Sequence, residues 1–343
     1  MWAISNQTQF KADRAFVRDS EGAEIWIVAV RATFSFDAHG RVTVAKDQQD
    51  VRLAPEYLGA PGRSSLRYDM DLVRMKSGTD VLVHAHAHAP GGRAAPHVDV
   101  GWTVGPLTKQ LRVMGDRVWE RRISGLAPSE PTPFVAMPIR YERAWGGPLP
   151  GSDARNPFNP VGTGCDAVPG KPVPNCELPE APIRSHRHDG PPAGFGPIAY
   201  HWQPRARLAG TYDEEWKRSR QPLVPKDFQD TYLRCAPEDQ QVDRFLSGGE
   251  EVVLRNLTPE GLVRFRLPGL ALAFTTFIDD TTVHHGRSLH TVIIEPEDRR
   301  LIIIWQTALP CHHTLYTLDE TVVFEKRRLL RETDTLSLTD PAA

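Results

Sequence analysis

The sequence contains little cysteine, and no two cysteines have metal-binding spacing. Its four cysteines lie at positions 165, 176, 235 and 311, and none belongs to a C-x-x-C motif. This spacing excludes a zinc knuckle. A few widely separated cysteines are typical of a protein kept in a reducing compartment.

The sequence also lacks an excess of one charge and any long apolar run. It carries 41 basic and 43 acidic residues, so it has no electrostatic footprint for nucleic acid or for an anionic membrane. The strongest apolar runs, such as residues 301–305, are far too short to cross a bilayer. Residues 1–14 contain no apolar segment of the kind found in secretory signals. We therefore predict a cytoplasmic protein with no nucleic-acid partner and no membrane insertion.

The common catalytic motifs are missing as well. There is no G-x-S-x-G nucleophile elbow and no G-x-G-x-x-G dinucleotide loop. Gly162 and Gly164 are followed by Cys165 and Asp166 instead of the Lys-Ser/Thr pair of a phosphate-binding loop. The sequence thus predicts a protein that is not an enzyme and that needs no cofactor.

Short apolar segments separated by turn residues fill both ends of the chain. Residues 24–36 (EIWIVAVRATFSF) are rich in β-branched and aromatic residues on both faces, which is typical of a central strand. Further strands are predicted at 79–89, 95–104 and 107–113, and a second series follows from residue 250 onward. We predict a mainly β fold, with antiparallel sandwich-like or barrel-like sheets formed by both chain ends.

The middle of the chain has a different composition. More than half of the 30 prolines lie between Pro128 and Pro204, which excludes a central strand or a long helix there. The same stretch is rich in aromatic residues, whereas disordered linkers are poor in them. We predict a long ordered, irregular segment followed by two short helices, at 213–220 and 225–234.

The sequence contains regions of different composition, but we do not predict that these regions are independent domains. We predict one elaborated domain over residues 1–343, because both ends supply β structure. Its parts are an N-terminal β region (1–125), the irregular segment (126–240), a C-terminal β region (241–330) and a loose tail (331–343).

Three histidines, His84, His86 and His88, alternate with alanines in one predicted strand. Alternate residues of a strand face the same side, so three imidazoles would line one face. Such a row can bind zinc or iron when a neighbouring strand supplies another ligand, for which His97 or Asp99 is a candidate. A metal-dependent enzyme centred on this histidine row is therefore the alternative function. A row of histidines used only for hydrogen bonds remains the other interpretation.

Several ordered stretches of the chain resemble a bacterial family, that of domain of unknown function 2169. The resemblance covers about residues 10–311. The matching stretches are GAEIWIVAVRATFSFD (22–37), PGRSSLRYDMDLV (61–73), TDVLVHAHAHAPGG (79–92), VMGDRVW (113–119), MPIRYERAWGG (137–147), NPVGTG (159–164), PAGFGPIAYHWQPR (192–205), LAGTYDEEW (208–216) and RNLTPEGLVRFRLP (255–268).

This resemblance implies an accessory protein of type VI secretion. Such proteins act as chaperones or adaptors that bind an effector, or its PAAR-type spike protein, and help to load it onto the VgrG spike. The resemblance implies no catalytic residues.

Within the middle segment, aromatic and arginine side chains are the candidates for protein binding, because these residue types dominate interface energies. The candidates are Trp145, Phe158, Phe195, Trp202 and Arg205. Some of the five are expected to hold the segment in place from inside. A third hypothesis, a carbohydrate-binding β-sandwich, depends on the aromatic residues alone.

Overall fold

The computed structural model of the protein describes residues 2–311 and 314–326. Most of its regular structure is β, which confirms the predicted fold class. The strands are β1 (Ala3–Asn6), β2 (Lys11–Arg18), β3 (Glu24–Phe36), β4 (Val42–Val44), β5 (Glu56–Tyr57), β6 (Leu66–Tyr68), β7 (Thr79–Val83), β8 (His86–His88), β9 (His97–Val104), β10 (Leu107–Met114), β11 (Arg117–Arg122), β12 (Gly125–Pro128), β13 (Ala136–Pro138), β14 (Trp145–Gly146), β15 (Thr163–Gly164), β16 (Pro172–Val173), β17 (Cys176–Glu177), β18 (Gln241–Val242), β19 (Glu251–Arg255), β20 (Leu262–Arg266), β21 (Leu272–Ile278), β22 (Thr281–His285), β23 (Ser288–Glu295), β24 (Arg300–Pro310) and β25 (Leu318–Glu325).

The helical content is small. One α-helix, α1, spans Glu214–Ser219. The 3-10 helical turns are Pro90–Gly92, Tyr141–Arg143, Arg205–Ala209, Asp230–Leu233, Glu238–Gln240 and Leu315–Thr317. No helix in the described part of the chain is both long and apolar enough to cross a membrane.

The largest sheet has seven strands and combines both ends of the chain. Its order is β18-β7-β23-β24-β3-β2, and β4 pairs with β3 at one end. β3 lies between β24 and β2, as expected from a strand with two apolar faces. β23 and β24 form an antiparallel hairpin, whereas β7 joins β23 in parallel.

Two further sheets complete the main architecture. The five-stranded sheet has the order β17-β10-β9-β19-β20, and the four-stranded sheet has the order β1-β25-β21-β22. A three-stranded sheet (β12-β11-β16) and three strand pairs (β13-β8, β14-β15 and β5-β6) support the irregular middle. No sheet among the described residues closes into a barrel.

The main core lies between the seven-stranded and five-stranded sheets. One face of β3 contributes Val28 and Val30, and the five-stranded sheet contributes Trp102 and Leu254 to the same buried cluster. The opposite face of the seven-stranded sheet is buried as well. Ile302 and Ile304 pack there against Tyr68, Cys235 and Ala236. Burial on both faces explains why β3, β23 and β24 are apolar almost throughout.

Two local predictions differ from the structure. The predicted strand at 79–89 is interrupted at His84 and Ala85, so that β7 and β8 belong to different sheets. The predicted helix at 225–234 is a loop that ends in the 3-10 turn Asp230–Leu233, because Gln229 donates its backbone N–H to Leu208 rather than to a helical turn. The predicted tail at 331–343 lies outside the described residues.

Candidate functional site: an aromatic surface on the middle segment

The middle segment is held together by the buried side chain of Asn159. Its Nδ2 donates to the carbonyl oxygens of Tyr141 at 2.7 Å and Trp145 at 3.0 Å. One amide therefore fastens the stretch YERAWGG to the stretch NPVGTG. Buried backbone carbonyls need such partners, since no water reaches them.

Glycines allow these two stretches to approach each other closely. Gly147 has a φ of +88°, and a Cβ at this position would lie 2.3 Å from the carbonyl oxygen of Gly162. A Cβ on Gly162 would lie 2.3 Å from Nδ2 of Asn159. Only glycine fits at either position. The irregular segment is thus a packed structure, and its surface side chains have a rigid support.

Of the five side chains proposed from sequence to bind a protein, four are buried. They are Trp145, Phe195, Trp202 and Arg205. Phe195 packs edge-on against Trp102, and Trp202 packs edge-on against Tyr141, so both aromatic rings attach the segment to the core. In the folded chain these four residues support the segment from inside.

Phe158 is the exposed member of the five, with 45% of its surface accessible. Its backbone N–H donates to Oδ1 of Asn156 at 2.9 Å, a turn that holds the loop in shape. The backbone N–H of Gln203 donates to the carbonyl of Pro157. That bond places the Phe158 loop beside the segment that carries Trp202. The binding role itself stays a prediction.

Arg205 connects three parts of the chain beneath the surface. Its Nε donates to the carbonyl of Tyr232 at 2.8 Å, and its Nη1 donates to the carbonyl of Ile198 at 3.0 Å. Nη1 also lies 2.7 Å from Oδ2 of Asp69. Burial alone would lower the pKa of Arg205, but the Asp69 carboxylate holds it above its ordinary value. The charged arginine is therefore a fixed support for the residues above it.

Six aromatic residues around Arg205 form a group that we call the aromatic surface. Its members come from β5 and from the segment around α1, and they are Tyr57, Tyr200, Tyr212, Trp216, Phe228 and Tyr232. Tyr200 is 46% exposed and Tyr212 is 52% exposed.

Ring contacts and electrostatic interactions show that these residues are neighbours. Tyr212 packs against Trp216 with 4.7 Å between ring centroids, and Phe228 packs against Tyr232 at 5.5 Å. The guanidinium of Arg205 lies 5.3 Å from the ring centre of Tyr232. Burial raises the pKa of Tyr232, and the nearby Tyr212, Asp69 and Tyr200 raise it further. Burial likewise raises the pKa of Tyr57, which is adjacent to Tyr200. The hydroxyls of Tyr57 and Tyr232 therefore remain protonated at neutral pH.

A cleft of about 620 Å³ lies on another side of the middle segment, between β11, β16 and the turn Tyr141–Arg143. Its charged groups are paired with protein groups. Nη1 of Arg143 lies 3.1 Å from Oδ1 of Asp116 and donates to Oδ1 of Asn175 at 2.9 Å. The carboxylate of Glu142 accepts from the backbone and hydroxyl of Ser65. These contacts join the turn between β10 and β11, and the residue before β6, to the middle segment.

The histidine row is divided between two environments. His84 packs edge-on against Tyr68 at 5.8 Å, and burial lowers its pKa. His86 and His88 instead share the carboxylate of Glu297, at 3.5 Å and 2.7 Å.

The proposed additional ligands, His97 and Asp99, lie in β9. Asp99 is bonded to Arg112 at 2.7 Å and 2.9 Å, and His97 belongs to the same strand as Asp99. Within residues 2–311 and 314–326, no three His, Cys, Asp or Glu side chains are grouped so as to hold a metal ion. The four cysteines are buried and free.

A family model described as an uncharacterized protein conserved in bacteria (DUF2169) matches residues 21–306. The chain belongs to the DUF2169 family. No curated protein and no solved structure was found to match it. The aromatic surface, the cleft and the histidine row all lie within the part of the chain that is common to DUF2169.

Sequence reasoning missed most of the aromatic surface. The density of aromatic residues in 200–232 was visible in the sequence, and it was a signal that could have pointed to Tyr200, Tyr212 and Trp216. Tyr57 gave no such signal, because it lies in β5, far from residues 200–232 in the sequence, and joins them only through folding.

Proposed function

We propose that this DUF2169 protein is a non-enzymatic, cytoplasmic accessory of type VI secretion. It binds a secretion effector, or the PAAR-type spike protein joined to it, and assists loading onto the VgrG spike. The aromatic surface is the observation that carries the binding role. The resemblance described above supplies the type VI assignment.

Physical chemistry favours the aromatic surface as a contact region. Tyrosine and tryptophan provide a large apolar area with a polar end, and they dominate the energies of protein interfaces. Tyr200 and Tyr212 are half exposed, whereas their neighbour Tyr232 is fixed by Arg205. A surface that is rigid before binding loses less conformational entropy on association. The buried arginine therefore contributes to binding indirectly, by holding the tyrosines in place.

The test is a binding measurement with the effector or spike protein encoded beside the gene. Replacing Tyr200 and Tyr212 by alanine together should weaken binding by about 2 kcal/mol or more, which is a factor of roughly thirty in Kd. The thermal midpoint should stay near that of the unchanged protein, because both side chains are half exposed. Isothermal titration calorimetry and a thermal melt give the two readings.

Tyr316 offers a matched control, because it is also a tyrosine, is 68% exposed and lies in the 3-10 turn before β25. Tyr316→Ala should leave both Kd and the thermal midpoint unchanged. Phe158→Ala tests whether the neighbouring loop extends the contact. Equal affinities for the double tyrosine variant and the control would contradict the assignment of the aromatic surface. A gene neighbourhood without any spike or effector gene would contradict the type VI assignment.

A further inference from the structure

The outer edge of β22 is unpaired in the described part of the chain. β22 is the last strand of the four-stranded sheet and pairs only with β21. Two other sheet edges are covered. The loop at Gly40 closes on β20, where a Cβ would lie 1.7 Å from the carbonyl oxygen of Arg264, and the backbone of His186 donates to Leu126 in β12. An uncovered edge presents backbone N–H and C=O groups to any strand of matching shape.

The edge of β22 is both rigid and unprotected. His285 is bonded through its two ring nitrogens to the hydroxyls of Thr276 at 2.7 Å and Thr307 at 2.5 Å. These bonds attach the strand to β21 and to β24. The strand sequence TTVHH contains no lysine, proline or acidic residue, which are the usual protections of an edge. β22 is therefore held in position for pairing.

We infer that β22 pairs antiparallel with β22 of a second copy of this chain, across a two-fold axis at Val283. Identical strands pair in this way in symmetric dimers, because the two-fold axis makes every contact between two residues occur twice. Thr282 faces His284 of the second copy in this register. The same combination already occurs within one chain, where Thr275 lies opposite His284 with their side chains 2.9 Å apart.

Charges at the two ends of the strand favour the same register. Pairing Val283 with itself brings the turn at Asp279 and Asp280 of one copy near Arg287 of the second copy. Asp279 and Asp280 are exposed, and no ion pair among the described residues includes either of them or Arg287. Nε of Arg287 is buried without a hydrogen-bond partner. Both ends of the dimer thus bring unpaired charges of opposite sign together.

Single cysteines in β22 test the register directly. At position 283 the two Cα atoms are expected about 4.5–5.5 Å apart, which suits a disulfide bond. At position 281 the two copies are about 13 Å apart along the strands, which is too far. Val283→Cys should therefore form a covalent dimer under mild oxidation with copper phenanthroline, and Thr281→Cys should not. The natural cysteines are buried and do not interfere. Equal cross-linking at both positions would overturn the register.

Sedimentation of the purified chain, without any cargo, tests the dimer itself. The unchanged protein should show a concentration-dependent dimer. Arg287→Asp should weaken the dimer at least tenfold, and adding Asp280→Arg to that variant should restore it. Thermal melts verify that each variant is folded. A chain that stays monomeric at every concentration would overturn the inference. So would a dimer whose dissociation constant does not change in Arg287→Asp. This result does not depend on the proposed secretion role.

Discussion

Two buried aspartates show how individual charges are tolerated in the largest sheet. Asp80 is bonded to Nζ of Lys76 at 2.7 Å and to Nε of Arg234 at 3.0 Å. Burial alone would raise its pKa, but the two cations hold the pKa of Asp80 below its ordinary value of 3.8. Asp71 has one close cation, Arg31 at 2.8 Å, and burial prevails there and raises its pKa. The cations at Asp80 thus outweigh burial, whereas the close cation at Asp71 does not.

Removing the charge of Asp80 should be costly, because Lys76 and Arg234 would remain buried without it. We expect Asp80→Asn to lower the free energy of unfolding by about 3–5 kcal/mol at neutral pH, measured by urea denaturation. The control is Asp116→Asn, whose carboxylate is 72% exposed in its pair with Arg143 and should contribute at most about 1 kcal/mol. Similar losses in the two variants would contradict this account of Asp80.

The difference in unfolding free energy between the unchanged protein and Asp80→Asn should depend on pH, because folding lowers the pKa of Asp80. A carboxyl group whose pKa is lowered by folding stabilises the protein above its unfolded pKa, and this contribution is lost as the pH falls through the folded value. The difference between the unchanged protein and Asp80→Asn should therefore shrink as the pH drops below about 3.8. Asp71 acts in the opposite sense, because its raised pKa favours folding more as the pH falls. A difference that stays constant from pH 7 to pH 2.5 would contradict the shift of Asp80.

Among the elements of the fold, the stretches around Gly147 and Gly162 approach each other closely. Gly147→Ala should lower the free energy of unfolding by more than about 2 kcal/mol, since a left-handed φ costs about 1–2 kcal/mol for alanine and a clash with the Gly162 carbonyl adds to it. Gly151 separates the two effects. Its φ is +68°, but no atom lies within 4 Å of the added Cβ, so Gly151→Ala should cost only the strain. Equal losses of unfolding free energy for Gly147→Ala and Gly151→Ala, measured by denaturant titration, would show that the stretches around Gly147 and Gly162 leave room for a Cβ.

Strands rich in β-branched and aromatic residues were predicted well from the sequence. β3 has the predicted bounds, and β23 and β24 belong to the series of strands predicted after residue 250. The sequence did not indicate the break at His84, because HAHAHA continues the period while the backbone changes partner from β23 to β13. β1 was missed too, since it is short and forms only by parallel pairing with β25. Pairing between distant segments has no local signal in the sequence.

The sequence predicted which segment carries the candidate site, but not which of its side chains are exposed. The proline and aromatic content identified the middle segment, and Arg205 proved to be its internal support. Composition could not distinguish buried rings from exposed ones in a segment without a regular period. Trp202 and Tyr200 are near neighbours in sequence, yet the first is buried and the second is half exposed. Only the irregular backbone decides which ring points outward.

At the scale of the whole molecule, the two ends of the chain are joined by backbone pairing. β3 pairs with β24 from Ser35 and Arg300 to Ile25 and Pro310, and β1 pairs with β25. The buried cluster between the sheets extends from Phe10 to Val323 and includes Tyr141, Phe195 and Trp202 of the middle segment. Both ends of the chain therefore supply strands to the same sheets.

We therefore expect the chain to behave as one cooperative unit. Calorimetry should show a single thermal transition, since separation of the ends would break the β3–β24 ladder and expose the shared core. Limited proteolysis supplies the stricter measurement. A cut between residues 150 and 190 should yield fragments that remain together in size-exclusion chromatography and separate only in denaturant. The reason is that β3 and β24 would then lie in different fragments of one sheet. If the two fragments instead elute separately and each unfolds cooperatively, the chain contains two domains and the one-domain prediction is wrong.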